Sequence, residues 1–127
     1  MAPLLFHHLV EKDCKMSNLN DFELCVLNRV AKKFPEINVH IPFLRVKDRI
    51  VTGVGMYVNF CYVGQNESAP IFGIEDKSIS TNESIEVDGL KYGLGYEVDI
   101  SDDKINFIEF FTYGESWDGN TKGFKFN

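Results

Sequence analysis

The sequence has no apolar run near the roughly 20 residues that a membrane-spanning helix needs. Its longest, Val54 to Val63, is broken by Gly55 and Asn59, so no transmembrane segment is expected. It also lacks a leader pattern. The apolar patch within Met1 to Val10 is interrupted by His7 and His8, follows no basic region and precedes no small-residue cleavage site. Met16, with Ser17 and Asn18 after it, is itself a plausible start, so residues 1–15 are set apart as an N-terminal extension on which no function is built, and residues 16–127 are read as one α+β domain. Cysteine is scarce: Cys14, Cys25 and Cys61 are odd in number and widely spaced, which fits neither a disulfide framework nor a CxxC metal site. Reduced thiols and a cytoplasmic location follow as expectations, with Cys25 and Cys61 as small buried hydrophobes rather than nucleophiles. The histidines, His7, His8 and a lone His40, show no metal-ligand spacing. Gly53-Val54-Gly55 has no helix start or phosphate ligand behind it, and reads as a bulge or a close backbone approach. No serine or threonine sits in a nucleophile-elbow context. No catalytic residue, metal or cofactor is therefore assigned.

Positive charge is also short, and unevenly so. The net charge is −6, with eight basic and six acidic residues up to Val63 but five basic and thirteen acidic residues from Gly64 onward. A nucleic-acid binder carries the opposite excess, so direct nucleic-acid binding is disfavoured. An acidic surface suits a basic protein partner, or simply solubility.

What the 127 residues do contain is enough apolar mass for one core, at 44% hydrophobic and 25% charged. Eleven Phe and five Tyr lean toward sheet. One helix is plain, over 18–34. Asn20 caps it, Glu23 completes a capping box, Leu24, Leu27, Val30, Ala31 and Phe34 form a stripe, Lys32 and Lys33 suit the negative end, and Pro35 stops it. Strands are expected near 38–41, 43–46, 50–62, 71–74, 84–87, 94–100, 105–113 and 123–126. Without further helices to form crossovers, the sheet is expected to be mostly antiparallel, with five to seven twisted strands.

The stretch from Leu94 to Tyr113 is the most informative. Leu94, Tyr96, Val98 and Ile100 alternate with Gly95, Glu97 and Asp99, and residues 101–104 supply a turn. If Ile100 pairs with Ile105 and the ladder runs on unbroken, Val98 meets Phe107, Tyr96 meets Glu109 and Leu94 meets Phe111. Glu109 then sits alone among aromatic rings, where desolvation raises a carboxylate pKa. It would serve as an acid or hidden anchor of a ligand pocket with Tyr96, or, more plainly, would hydrogen-bond a tyrosine or pair with an arginine. The opposite face carries Glu97, Asp99 and Asn106 with Ile108 and Phe110, extended by Glu86 and Asp88 on the preceding strand. Such a mixture suits a contact surface, though helix packing would equally account for the apolar members. Trp117 either closes the core or stands as a binding anchor.

The tail Ile108-Glu109-Phe110-Phe111-Thr112-Tyr113-Gly114-Glu115-Ser116-Trp117, with Gly89-Leu90 and Gly93-Leu94-Gly95 before it, resembles the ends of small bacterial proteins, some of them immunity proteins of toxin systems. The resemblance covers about the last third of the chain and supplies no catalytic residues. It implies a cytoplasmic module that blocks a basic, nuclease-like toxin. The expected contact residues are Glu86, Glu97, Asp99 and Phe110. The alternatives are a small enzyme or ligand-binding domain with its pocket at Glu109, Tyr96 and Trp117, or an oligomer, a homodimer for example, that buries the outer sheet face against its own copy.

Overall fold

The structure, a computed structural model, describes residues 16–64, 73 and 75–127. The expected extension 1–15 and nearly all of the strand expected at 71–74 lie outside the described residues. Helix α1 spans Asp21–Lys33, and its start is set locally: Asn20 accepts from the Glu23 amide at 2.8 Å, and Glu23 accepts from the Asn20 amide at 2.9 Å. Phe22, Val26, Leu27, Val30 and Ala31 are buried, so the covered stripe is turned slightly from the expected one and leaves Leu24 half-buried. Glu23 lies in that stripe because it has a second partner, Arg49, described below.

The chain then forms a short helix α2, Ile37–His40, and a 3-10 turn, Ile41–Phe43, where a strand was expected. Ile37, Val39 and Ile41 favour strands singly, but burying Ile37 and His40 on one side requires helical spacing. His40 Nδ1 lies 2.6 Å from the Tyr62 hydroxyl, which also accepts from the Ile105 amide at 2.8 Å. Burial pushes the Tyr62 phenol up to about 12 and lowers the His40 imidazole, against the pull of Asp103.

Among the described residues seven strands follow: β1 Leu44–Val51, β2 Gly55–Tyr62, β3 Lys77–Ile79, β4 Ile85–Glu86, β5 Leu94–Ser101, β6 Lys104–Thr112 and β7 Lys125–Phe126. The order is β1-β2-β6-β5-β4-β7, with β3 also on β5, and every pairing is antiparallel. The fold is α+β and dominated by its sheet. The expected long strand 50–62 is instead a hairpin, turned at Gly53, whose φ of 94° a side-chain-bearing residue rarely adopts. β3 was not anticipated: three residues, Lys-Ser-Ile, are too few to show a period.

Helix α1 covers one face of this sheet. Phe22 packs on Phe110 with ring centroids 4.8 Å apart, and Phe124 meets Phe22 edge-on at 5.2 Å. Two charged clasps tie the helix down. Arg49 of β1 grips Glu23 through Nε to Oε2 at 2.6 Å and Nη2 to Oε1 at 2.9 Å. Arg29 grips Glu83 at 3.1 and 2.5 Å and lies 4.5 Å over the Phe126 ring. Trp117 is buried, donates Nε1 to the Asn120 carbonyl at 3.0 Å, and closes one end of the core.

The β5–β6 hairpin departs from an unbroken ladder at one residue. Ile100 faces Ile105, but the next pair is Asp99 with Phe107, so Asn106 is extra and forms a bulge. Its side-chain amide donates to Ser101 Oγ at 2.6 Å and to Asp99 Oδ2 at 3.2 Å, which holds the bulge shut. The turn itself uses Asp102 and Asp103, both at positive φ (54° and 62°), the conformation that matches the twist of a two-residue hairpin.

Candidate protein-binding face

Beyond the bulge every residue of β6 changes sides relative to the unbroken register. Val98 faces Ile108 and Tyr96 faces Phe110 on the helix side, while Glu97 faces Glu109, Asp99 faces Phe107 and Gly95 faces Phe111 on the other. Two expectations are corrected by this. Glu109 is not enclosed by a buried aromatic cluster but stands on the outer face, and Phe110, placed in the contact surface by sequence, is 0% exposed beneath helix α1.

The outer face is assembled from four long strands, β1, β2, β6 and β5, with the short β3 at its edge. One row across it reads Ile50, Tyr57, Glu109, Glu97, and the next reads Asp48, Asn59, Phe107, Asp99, Ser78. A third holds Phe111 between Gly55 and Gly95. A Cβ on Gly95 would meet the Phe111 ring at 2.5 Å and the Tyr113 hydroxyl at 2.6 Å, so the two rings lie over that glycine. Phe111 and Tyr113 meet edge-on at 5.8 Å, and Tyr57 and Phe107 do so at 5.6 Å. Tyr57, Phe107 and Phe111 remain half-buried, with Ile50 50% and Tyr113 53% exposed.

Four carboxylates share this face. Asp48 accepts from Asn59 at 2.7 Å, Glu97 from Ser78 at 3.2 Å, and Asp99 is engaged at the bulge. Glu109 raises the Tyr57 phenol above its ordinary value, first through its charge and then through a hydrogen bond. The ion pairs among the described residues, Arg29–Glu83 and Arg49–Glu23, both serve the helix side, and none reaches Glu97 or Glu109. Glu86 is exposed on β4 opposite Lys125 and sits about 13 Å along the sheet from Glu97, at four residue steps, so it stands apart from this patch.

The pocket expected from Glu109, Tyr96 and Trp117 is not assembled. Glu109 and Tyr96 lie on opposite faces of the sheet; Tyr96 is 1% exposed and bonded to Thr81, and Trp117 is walled into the core. A groove of about 620 Å³ does lie against Trp117, between Asp88, Gly89, Leu90 and Ser116, but neither Glu109 nor Tyr96 lines it. Among the described residues no three His, Cys, Asp or Glu side chains are grouped to hold a metal ion, and no helix is long and apolar enough to cross a membrane.

Phe107 and Phe111, with Asp48, Tyr57 and Tyr113, are contact candidates that sequence reasoning missed. The two phenylalanines belong to the aromatic run that drew attention to β6, but their side of the sheet depends on Asn106. No protein-family model matches the chain, and neither a curated protein nor a solved structure does. The functional reading therefore rests on the residues of this face.

Proposed function

We propose that the chain is a protein-binding module of the immunity type, whose outer sheet face covers a basic surface of a cognate toxin. The observation that carries this reading is the composition of a face that helix α1 leaves uncovered: Asp48, Glu97, Asp99 and Glu109 interleaved with Tyr57, Phe107, Phe111 and Tyr113. Carboxylates of one sign steer an oppositely charged partner and speed encounter, and half-exposed aromatic rings hold it once it arrives. A basic surface that binds nucleic acid is the kind such a face would occlude. The expected cytoplasmic setting belongs to the same reading.

Size sharpens it. Four strands at about 4.8 Å spacing and eight residues at about 3.3 Å give a face of roughly 19 by 26 Å, on the order of 500 Å². A stable interface takes about 800 Å² per partner. A tight complex must therefore extend beyond the strands, and the acidic turn that exposes Asp102, with Asp103 half-buried beside it, is the natural extension.

The test is co-purification from the native host with an affinity handle, comparing wild type with the Glu97→Lys, Glu109→Lys double variant. Asp99 is spared because it holds the bulge. A stoichiometric basic partner that is lost from a folded double variant supports the reading. No partner, or one indifferent to the reversal, overturns it.

A further inference from the structure

Glu97 and Glu109 face each other directly across the β5–β6 ladder. Side chains at such positions have Cβ atoms about 4.5–5.5 Å apart, and like charges there repel. Within the fold Glu97 is met only by the Ser78 hydroxyl and Glu109 only by Tyr57, both neutral partners; among the described residues neither carboxylate is in an ion pair, and no cation lies beside them in their row. The surroundings are aromatic. Glu109 has Phe107 and Phe111 two residues away on its own strand, on the same face, and Tyr57 across on β2.

We infer that the Glu97–Glu109 pair, with the rings of Tyr57, Phe107 and Phe111 around it, is the seat of an arginine side chain from the partner. This rests on the outer face being the binding surface. The chemistry favours guanidinium over ammonium. A guanidinium is planar, carries five N–H donors in a fixed fork, bridges two acceptors while lying flat on a ring, and is weakly hydrated. A lysine ammonium is a compact, strongly hydrated point charge, and satisfies the carboxylates only by forgoing the ring stacking. A second copy of this chain is a poor occupant, because it would bring the same four carboxylates against these.

The test is a heteronuclear NMR titration of the full chain at low ionic strength with two capped pentapeptides, acetyl-Gly-Gly-Arg-Gly-Gly-amide and its lysine counterpart. The expected result is saturable shifts centred on residues 57, 97, 107, 109 and 111, with the arginine peptide at least several-fold tighter. Glu109→Gln should weaken the arginine peptide by about tenfold, the usual loss for one charged hydrogen-bonding partner, and unchanged shifts away from the face would show the variant folded. Equal affinity for the two peptides, shifts centred elsewhere, or no saturable shift overturns the arginine seat. The co-purification result is independent of these outcomes: a partner lost on charge reversal together with a failed titration removes the arginine anchor and leaves the binding face.

Discussion

The two faces of the sheet treat charge in opposite ways. On the helix side two carboxylates are each answered by an arginine: Glu23 lies between the Asn20 amide and the Arg49 fork, and Glu83 takes the Arg29 fork and the Thr81 hydroxyl. On the outer side two glutamates confront one another with no ion pair among the described residues, beside rings left partly in water. A buried charge without a partner costs several kcal/mol, whereas an exposed like-charge pair costs a few tenths to about 1 kcal/mol. Folding therefore dictates the first arrangement and merely tolerates the second. Positions that folding merely tolerates are where a requirement other than stability is legible.

The comparison breaks most sharply at two adjacent phenylalanines. Phe110→Ala opens a cavity under helix α1 and is expected to cost about 3–5 kcal/mol, whereas Phe111→Ala, on the outer face, is expected to cost about 1 kcal/mol. Urea unfolding of both variants checks this, and the reverse order would mean that the bulge is misplaced. Next comes Glu23→Ala, which removes a cap and leaves Arg49 unanswered. Because Arg49 is one-third exposed and rehydrates, a loss of about 2–3 kcal/mol is expected, measured the same way and largely reversed by Arg49→Met in the same chain.

On the helix side a pH effect is expected from two groups. Burial depresses the His40 pKa, so the unfolded chain binds a proton more readily than the folded one. Stability should be fully present above the ordinary histidine value of about 6.5 and decline as pH falls below it. At the other end Tyr62, raised to about 12, should cost stability as pH climbs from about 10 toward 12. Urea midpoints across pH, with His40→Gln flattening the acid limb, test the first statement. The smallest change runs the other way: Glu109→Gln should stabilise the free protein by about 0.2–1 kcal/mol while weakening the partner. A glutamine that destabilises would mean that the pair supports the fold.

The parts of the fold legible in the sequence are those whose cause lies within a few residues. The Asn20–Glu23 box, the Pro35 stop and the alternation from Leu94 to Ile100 are local, and each appears as read. The stretch around Ile37, Val39 and Ile41 misled because its propensity is for strand while its burial needs a helix. The 50–62 hairpin was hidden by a turn that announces itself only as Gly53. The face of β6 was illegible for a stronger reason. It is fixed by Asn106 reaching Asp99 and Ser101 across the hairpin, contacts that exist only once the strands have met. Glu97 and Asp99, on the near strand, could be placed on the outer face; Glu109 and Phe110, beyond the bulge, could not.

The bulge gives β6 something like a reading frame. From Phe107 to Thr112 the letters say which side chains exist, but a single inserted residue says which of them meet water. Losing Asn106 would leave every one of those residues in the chain and shift the frame by one, drawing Glu109 under the helix and turning Ile108 and Phe110 outward. Side-chain replacements along this strand edit the surface one word at a time, while a change of length there rewrites the whole line.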